Sequence, residues 1–136
     1  MRGWVHHIDL NVSDLRRSEP FYAAVLGFLG YRRGRSGEHW IDWDLRQPHG
    51  CPSVAIVQAK GERKHDRYAC GLHHLAWVAT SRDDVDLLHA RLVEIGATIL
   101  DPPADYPQYR EGYYAVFFAD PDGLKFEFVH TPEVGG

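Results

Sequence analysis

The chain has 136 residues, 44% of them hydrophobic and 25% charged, with a formal net charge of -4. That length and balance fit a globular domain with a sizeable core and exclude a disordered or fibrous chain. The basic residues are scattered through LRR, YRRGR and KGERKHDR, which leaves no footprint for nucleic acid or an anionic membrane and makes a small-molecule partner the default.

The N-terminal MRGWVHHIDL lacks the apolar run of a signal peptide, and no stretch approaches the roughly 18 apolar residues of a membrane span, so a cytoplasmic protein is expected. Cys51 and Cys70 are then free thiols. The first element is an alternating strand opening on His6 and His7. Val12-Ser13-Asp14 supplies capping residues for a helix with Phe21, Val25, Leu26 and Phe28 at helical spacing, and Gly27 marks its end. HWIDWDL and SVAIVQA follow as strands around the turn RQPHG, and AKGERKHDRYAC is a charged linker. GLHHLAWVATS then repeats the opening. Ser81 or Asp83 caps a second helix carrying Val85, Leu88, Leu92 and Ile95, which ends near Gly96. DPPADYPQYREG has three prolines among twelve residues, which predicts a surface loop. YYAVFFA and LKFEFVH are the last strands, joined by ADPDG. Each module reads β-α-β-β-β, an α+β chain with module one at about 1–60, a linker at about 61–70 and module two at about 71–131.

Side chains alternate across a strand. Ile8, Leu10 and Val12 therefore face the helix, while His7, Asp9 and Asn11 face the opposite, concave side. The same count sends Leu75 and Trp77 toward the second helix and His74 to the His7 side; His6 and His73 point the other way and are read as non-ligands. In LKFEFVH, Phe126 and Phe128 form the apolar face and leave Glu127 opposite, where an unpaired carboxylate is expensive to bury. Two imidazoles and a carboxylate on three strands are the ligand set of a divalent metal with open positions. Any one of them alone is more readily a hydrogen-bonded core or surface residue, with Glu127 paired to Lys125 or an arginine; the repeat reverses that balance. Trp40, Trp43, Tyr106, Tyr109, Tyr113 and Tyr114 lie on strands or the loop expected to border the site. Parity with Phe117 puts Tyr113, and not Tyr114, on its face. Arg110 on the same loop can meet an anionic substrate.

HHIDLNVSDLRRSEPFYAAVLGF, GLHHLAWVA and FFADPDGLKFEF together resemble the signature stretches of the vicinal oxygen chelate superfamily, which includes glyoxalase I, extradiol dioxygenases, fosfomycin-modifying thiol transferases and bleomycin-resistance proteins. The resemblance spans nearly the whole chain. It implies two βαβββ modules whose mixed sheets curve into one cup, with His7, His74 and Glu127 as ligands of a divalent metal (Zn, Mn, Fe, Ni or Co). Glu127 and Tyr113 are the expected catalytic residues. The strand that carries a fourth ligand in glyoxalase I has Ala55 at that position here, with Gln58 as the nearby substitute. Phe117 stands where the fosfomycin and extradiol enzymes have tyrosine. The implied function is a metal-dependent isomerase, lyase or dioxygenase acting on a small oxygen-chelating substrate. The alternative is a metal-free small-molecule or antibiotic-binding protein of the bleomycin-resistance type. A homodimer is expected, because members usually cover sheet edges that way and PFYAAVLGFLGYRR offers extra apolar surface. Modules of two chains can combine, so His7 and His74 can come from one subunit or two.

Overall fold

The computed structural model describes residues 2–132. The chain divides into two compact units, Met1–Arg63 and Lys64–Gly136, and the division falls inside the charged linker. Both units are α+β, each a four-stranded mixed sheet with one helix.

The first unit runs β1 (His7–Val12), α1 (Leu15–Phe28), β2 (Arg32–Ser36), β3 (Trp40–Asp44) and β4 (Ser53–Gln58), in the sheet order β1-β4-β3-β2. β1 lies parallel to β4, and the other pairs are antiparallel. Leu10 and Val12 are buried while His7, Asp9 and Asn11 are exposed, as period-two alternation requires. Asp14 caps α1 by accepting from the backbone N–H groups of Arg16 and Arg17. The helix buries Phe21, Tyr22, Val25 and Leu26, an apolar stripe that recurs every turn. Its end differs from the sequence expectation. Gly27 is still helical, and the left-handed residue is Gly30, at φ +96°. Gly30 N–H reaches Gly27 O at 3.1 Å and Tyr31 N–H reaches Leu26 O at 2.9 Å, a Schellman ending that needs glycine three residues later than expected. Ser18 is fully buried on the sheet side of α1, and its hydroxyl has no hydrogen-bond partner among the described residues. Ser18→Ala is therefore expected to raise stability by about 1 kcal/mol, read as a higher urea midpoint with an unchanged slope.

The second unit runs β5 (Leu75–Val78), α2 (Arg82–Glu94), β6 (Thr98–Asp105), β7 (Tyr114–Ala119) and β8 (Lys125–His130), in the order β5-β8-β7-β6. Ser81 is the helix cap and accepts from Asp84 N–H. Gly96 ends α2 at φ +72°, with the same pair of closing hydrogen bonds to Val93 O and Leu92 O. Val85, Leu88 and Leu92 of α2 are buried, as are Val116, Phe118, Phe126 and Phe128 of the sheet. The proline-rich stretch expected as loop is half strand. Residues 98–105 form β6, whose pairing with β7 shifts register on either side of Asp101. β6 is an edge strand, and an edge with irregular pairing tolerates Pro102 and Pro103 because no second neighbour needs their missing N–H groups. In the ADPDG turn, Asp120 accepts from the N–H groups of Asp122 and Leu124 at 2.9 and 2.8 Å.

Candidate metal and substrate site

β8 is a central strand, flanked by β5 and β7. Phe126 and Phe128 are 0% and 1% exposed and face α2, so Glu127 between them points from the opposite side, where it pairs with Ala76 and Phe117. This carboxyl is only 2% exposed. Its Oε1 lies 3.2 Å from His74 Nε2, and its Oε2 accepts a short hydrogen bond from the Tyr113 hydroxyl. Lys125 Nζ sits 4.7 Å from the centre of the Phe117 ring. A desolvated carboxylate held by one imidazole and one phenol keeps acceptor capacity that a cation could use.

Tyr113 follows the parity expected from Phe117. Burial pushes its phenol well above the usual tyrosine range, and the hydrogen bond and charge of Glu127 push the same way. The folded chain thus holds this proton more tightly than the unfolded chain, so above the ordinary tyrosine pKa of about 10 the folded state binds more protons and stability falls as pH rises. An alkaline titration followed by ultraviolet absorbance should show the Tyr113 phenol ionising only as the protein unfolds. Tyr113→Phe should take one phenol out of that step. Tyr114 faces the helix instead: its hydroxyl donates to Asp86 Oδ1 at 2.5 Å, and the Arg82 guanidinium lies 3.9 Å over its ring.

An aromatic wall adjoins the carboxylate. Tyr106 and Tyr109 stack at 5.5 Å, Tyr106 meets Phe117 edge to face at 5.5 Å, and Tyr109 meets Tyr113 at 5.3 Å. The His74 ring closes this group with an edge contact to Phe117 at 6.3 Å. Arg110 is exposed on the same loop.

In the first unit, His7, Asp9 and Asn11 lie on the sheet face away from α1, as expected. Ala55 pairs with Asp9 and Asp42 and is the third residue of β4, as Glu127 is of β8. Two aromatic and ligand expectations change here. Trp43 is 2% exposed and its ring lies 6.5 Å from that of Tyr22 on α1, so it belongs to the core; alternation leaves Trp40 on the other face. Gln58 is not available as a fourth ligand. Its Oε1 accepts from Leu15 N–H at 3.0 Å and its Nε2 donates to Ser13 O at 2.8 Å, which fastens β4 to the start of α1.

Strand alternation does not reach the first histidine of either pair. β1 starts at His7 and β5 at Leu75, so His6, His73 and His74 precede the strands, where the period of two does not apply. Instead of pointing apart, His6 Nδ1 lies 2.9 Å from His7 Nδ1, and His73 Nδ1 lies 2.7 Å from His74 Nδ1. Among the described residues, no group of three or more His, Cys, Asp or Glu side chains is arranged to hold a metal ion. The convergent pair is His74 with Glu127 in the second unit, and His7 belongs to the first.

The sequence profile of the Glyoxalase/Bleomycin resistance protein/Dioxygenase superfamily matches residues 4–128. The uncharacterized protein YqjT of Bacillus subtilis (strain 168) is 36% identical over 128 residues, covering 92% of this chain and 97% of that one. Metallothiol transferase FosB of Lysinibacillus sphaericus (strain C3-41) is 29% identical over 127 residues, covering 93% and 81%. A solved structure from Bacillus halodurans superposes with a TM-score of 0.79 at 33% identity, covering 96% of this chain and 97% of the other. No helix among the described residues is long and apolar enough to cross a membrane. By the extent of the profile match and by the likeness in fold, the chain belongs to the Glyoxalase/Bleomycin resistance protein/Dioxygenase superfamily.

Proposed function

We propose that the protein is a divalent-metal-dependent enzyme acting on a small oxygen-chelating substrate, with His7, His74 and Glu127 as protein ligands. The observation that carries this reading is the buried Glu127 carboxyl facing His74 Nε2 on one oxygen and the Tyr113 hydroxyl on the other. A nitrogen and an oxygen donor of these types suit Zn, Mn, Fe, Ni or Co. When bound, such a metal acts as a Lewis acid toward two neighbouring substrate oxygens. The chain's own residues do the rest. Glu127 supplies the negative charge, Tyr113 holds a proton at Glu127 Oε2, and the wall of Tyr106, Tyr109 and Phe117 offers apolar surface to the substrate. Three protein ligands leave positions free for isomerase, lyase or dioxygenase chemistry, and the named metallothiol transferase relative is in keeping with metal use.

A second reading, a non-catalytic small-molecule or antibiotic-binding protein, is favoured by the aromatic wall. Elemental analysis after incubation with Zn, Mn, Ni and Fe(II) and desalting separates the two. The enzyme reading expects near-stoichiometric metal from at least one of the four. Protein that emerges metal-free from all four would overturn the metal-dependent enzyme reading. The protomer is proposed to pair as a homodimer of cytoplasmic origin, which static light scattering across a concentration series checks; monomer throughout would remove the dimer.

A further inference from the structure

The same side-chain contact stands ahead of the first strand in both units. His6 and His7 join Nδ1 to Nδ1 at 2.9 Å with their rings at 83°, and His73 and His74 do so at 2.7 Å with their rings at 75°. His6, His7 and His73 are exposed, and His74 is half-buried. Packing does not demand that exposed imidazoles face each other, since either could turn into water. A hydrogen bond between two like ring nitrogens requires a hydrogen on one and a lone pair on the other, so the tautomers of the two histidines in each pair are coupled. It also occupies Nδ1 of the second histidine. In the second unit the remaining nitrogen, His74 Nε2, is the atom that faces Glu127 Oε1 at 3.2 Å.

We infer that His6 and His73 are positioning residues that hold His7 and His74 by Nδ1 and so present Nε2 to a metal. This rests on the metal reading above and deepens it. With Nε2 given to a cation, His74 carries its hydrogen on Nδ1 and donates it to His73 Nδ1. With Nε2–H donating to the Glu127 carboxylate instead, His74 Nδ1 is the acceptor and His73 Nδ1–H donates. Passing from the second state to the first, His74 Nε2 releases a proton to solvent and the shared proton moves from His73 Nδ1 to His74 Nδ1. His73 Nε2 takes one proton from solvent, so the charge of the pair does not change. An imidazole at position 73 serves both states because it exchanges donor for acceptor at one atom. Its ring is further held by an edge contact with Tyr68 at 5.8 Å.

The test is Zn(II) affinity, measured by competition with a chromophoric chelator, together with nitrogen-15 spectra of the histidine rings in the Zn-loaded wild type. His6→Leu and His73→Leu should each weaken Zn binding about 10- to 100-fold, the usual cost of losing a partner to a metal-binding histidine. His73→Asn, whose amide can accept or donate at the Nδ1 position, should recover most of the loss. The spectra should show hydrogen on Nδ1 of His7 and His74 and on Nε2 of His6 and His73. Leucine variants that bind Zn as the wild type does, or a Zn-loaded His74 with hydrogen on Nε2, would overturn the inference while leaving the metal reading in place. The spectra need no variant to fold. A wild type that binds no Zn, Mn, Ni or Fe(II) would overturn both readings together.

Discussion

Glu127→Gln is expected to yield a folded protein that no longer retains metal through desalting. Glutamine has nearly the same shape and keeps an oxygen for the Tyr113 hydroxyl, so the local hydrogen bonding survives. The charge does not. Losing a buried negative charge removes a desolvation cost and weakens the hydrogen bonds that His74 Nε2 and the Tyr113 hydroxyl make to it, so the net change in stability should be on the order of 1 kcal/mol in either direction. Metal binding has no such compensation, because a neutral amide oxygen is a much poorer partner for a divalent cation than a carboxylate. Parallel urea melts and elemental analysis separate the two effects. A Glu127→Gln protein with wild-type metal content would mean that Glu127 is buried for structural reasons alone.

The residue before it should respond in the opposite way. Phe126 is 0% exposed, stacks on Trp77 at 4.9 Å and 23°, and packs against Phe118 at 5.8 Å. Phe126→Ala deletes the centre of that aromatic layer and leaves a cavity that the rigid strands on either side of β8 cannot collapse into. A loss of about 3–5 kcal/mol is expected, a large share of the roughly 5–15 kcal/mol that holds a typical domain together. Urea unfolding by far-ultraviolet circular dichroism would show a sharply lowered midpoint or a chain unfolded without denaturant. A loss under about 1 kcal/mol would contradict the placement of Phe126 in the second unit's core.

The parts of this fold that were legible in the sequence are those whose own side chains carry the signal. HIDLNV and KFEFVH alternate apolar with polar residues, and both helices have apolar stripes behind a capping Asp14 or Ser81, so two βαβββ modules and the placement of Tyr113 with Glu127 follow from periodicity. Other parts depend on partners distant in sequence. β2 reads RRGRS and is exposed throughout, so only its pairing with β3 makes it a strand. β6 tolerates its prolines because it lies on an edge. Gln58 reads as a spare ligand until the start of α1 folds beside it. Trp43 and Trp40 sit three residues apart on one strand and so face opposite sides, which assigned Trp43 to the core once α1 was in place. The histidine pairs show the limit of alternation most directly: a period of two holds from His7 and from Leu75 onward, and the rings ahead of those points are free to meet.

The ligand set of His7, His74 and Glu127 is tested by metal content in His7→Ala set beside His74→Ala and wild type, each loaded with Zn(II) and desalted under the same conditions. His74 and Glu127 are juxtaposed in the second unit, whereas His7 is assigned to the same metal by parity and by the repeat. Wild type should hold near-stoichiometric metal and both variants should lose it, with circular dichroism showing that all three remain folded. Full metal retention in His7→Ala, alongside loss in His74→Ala, would contradict the three-residue ligand set and confine any metal to the second unit.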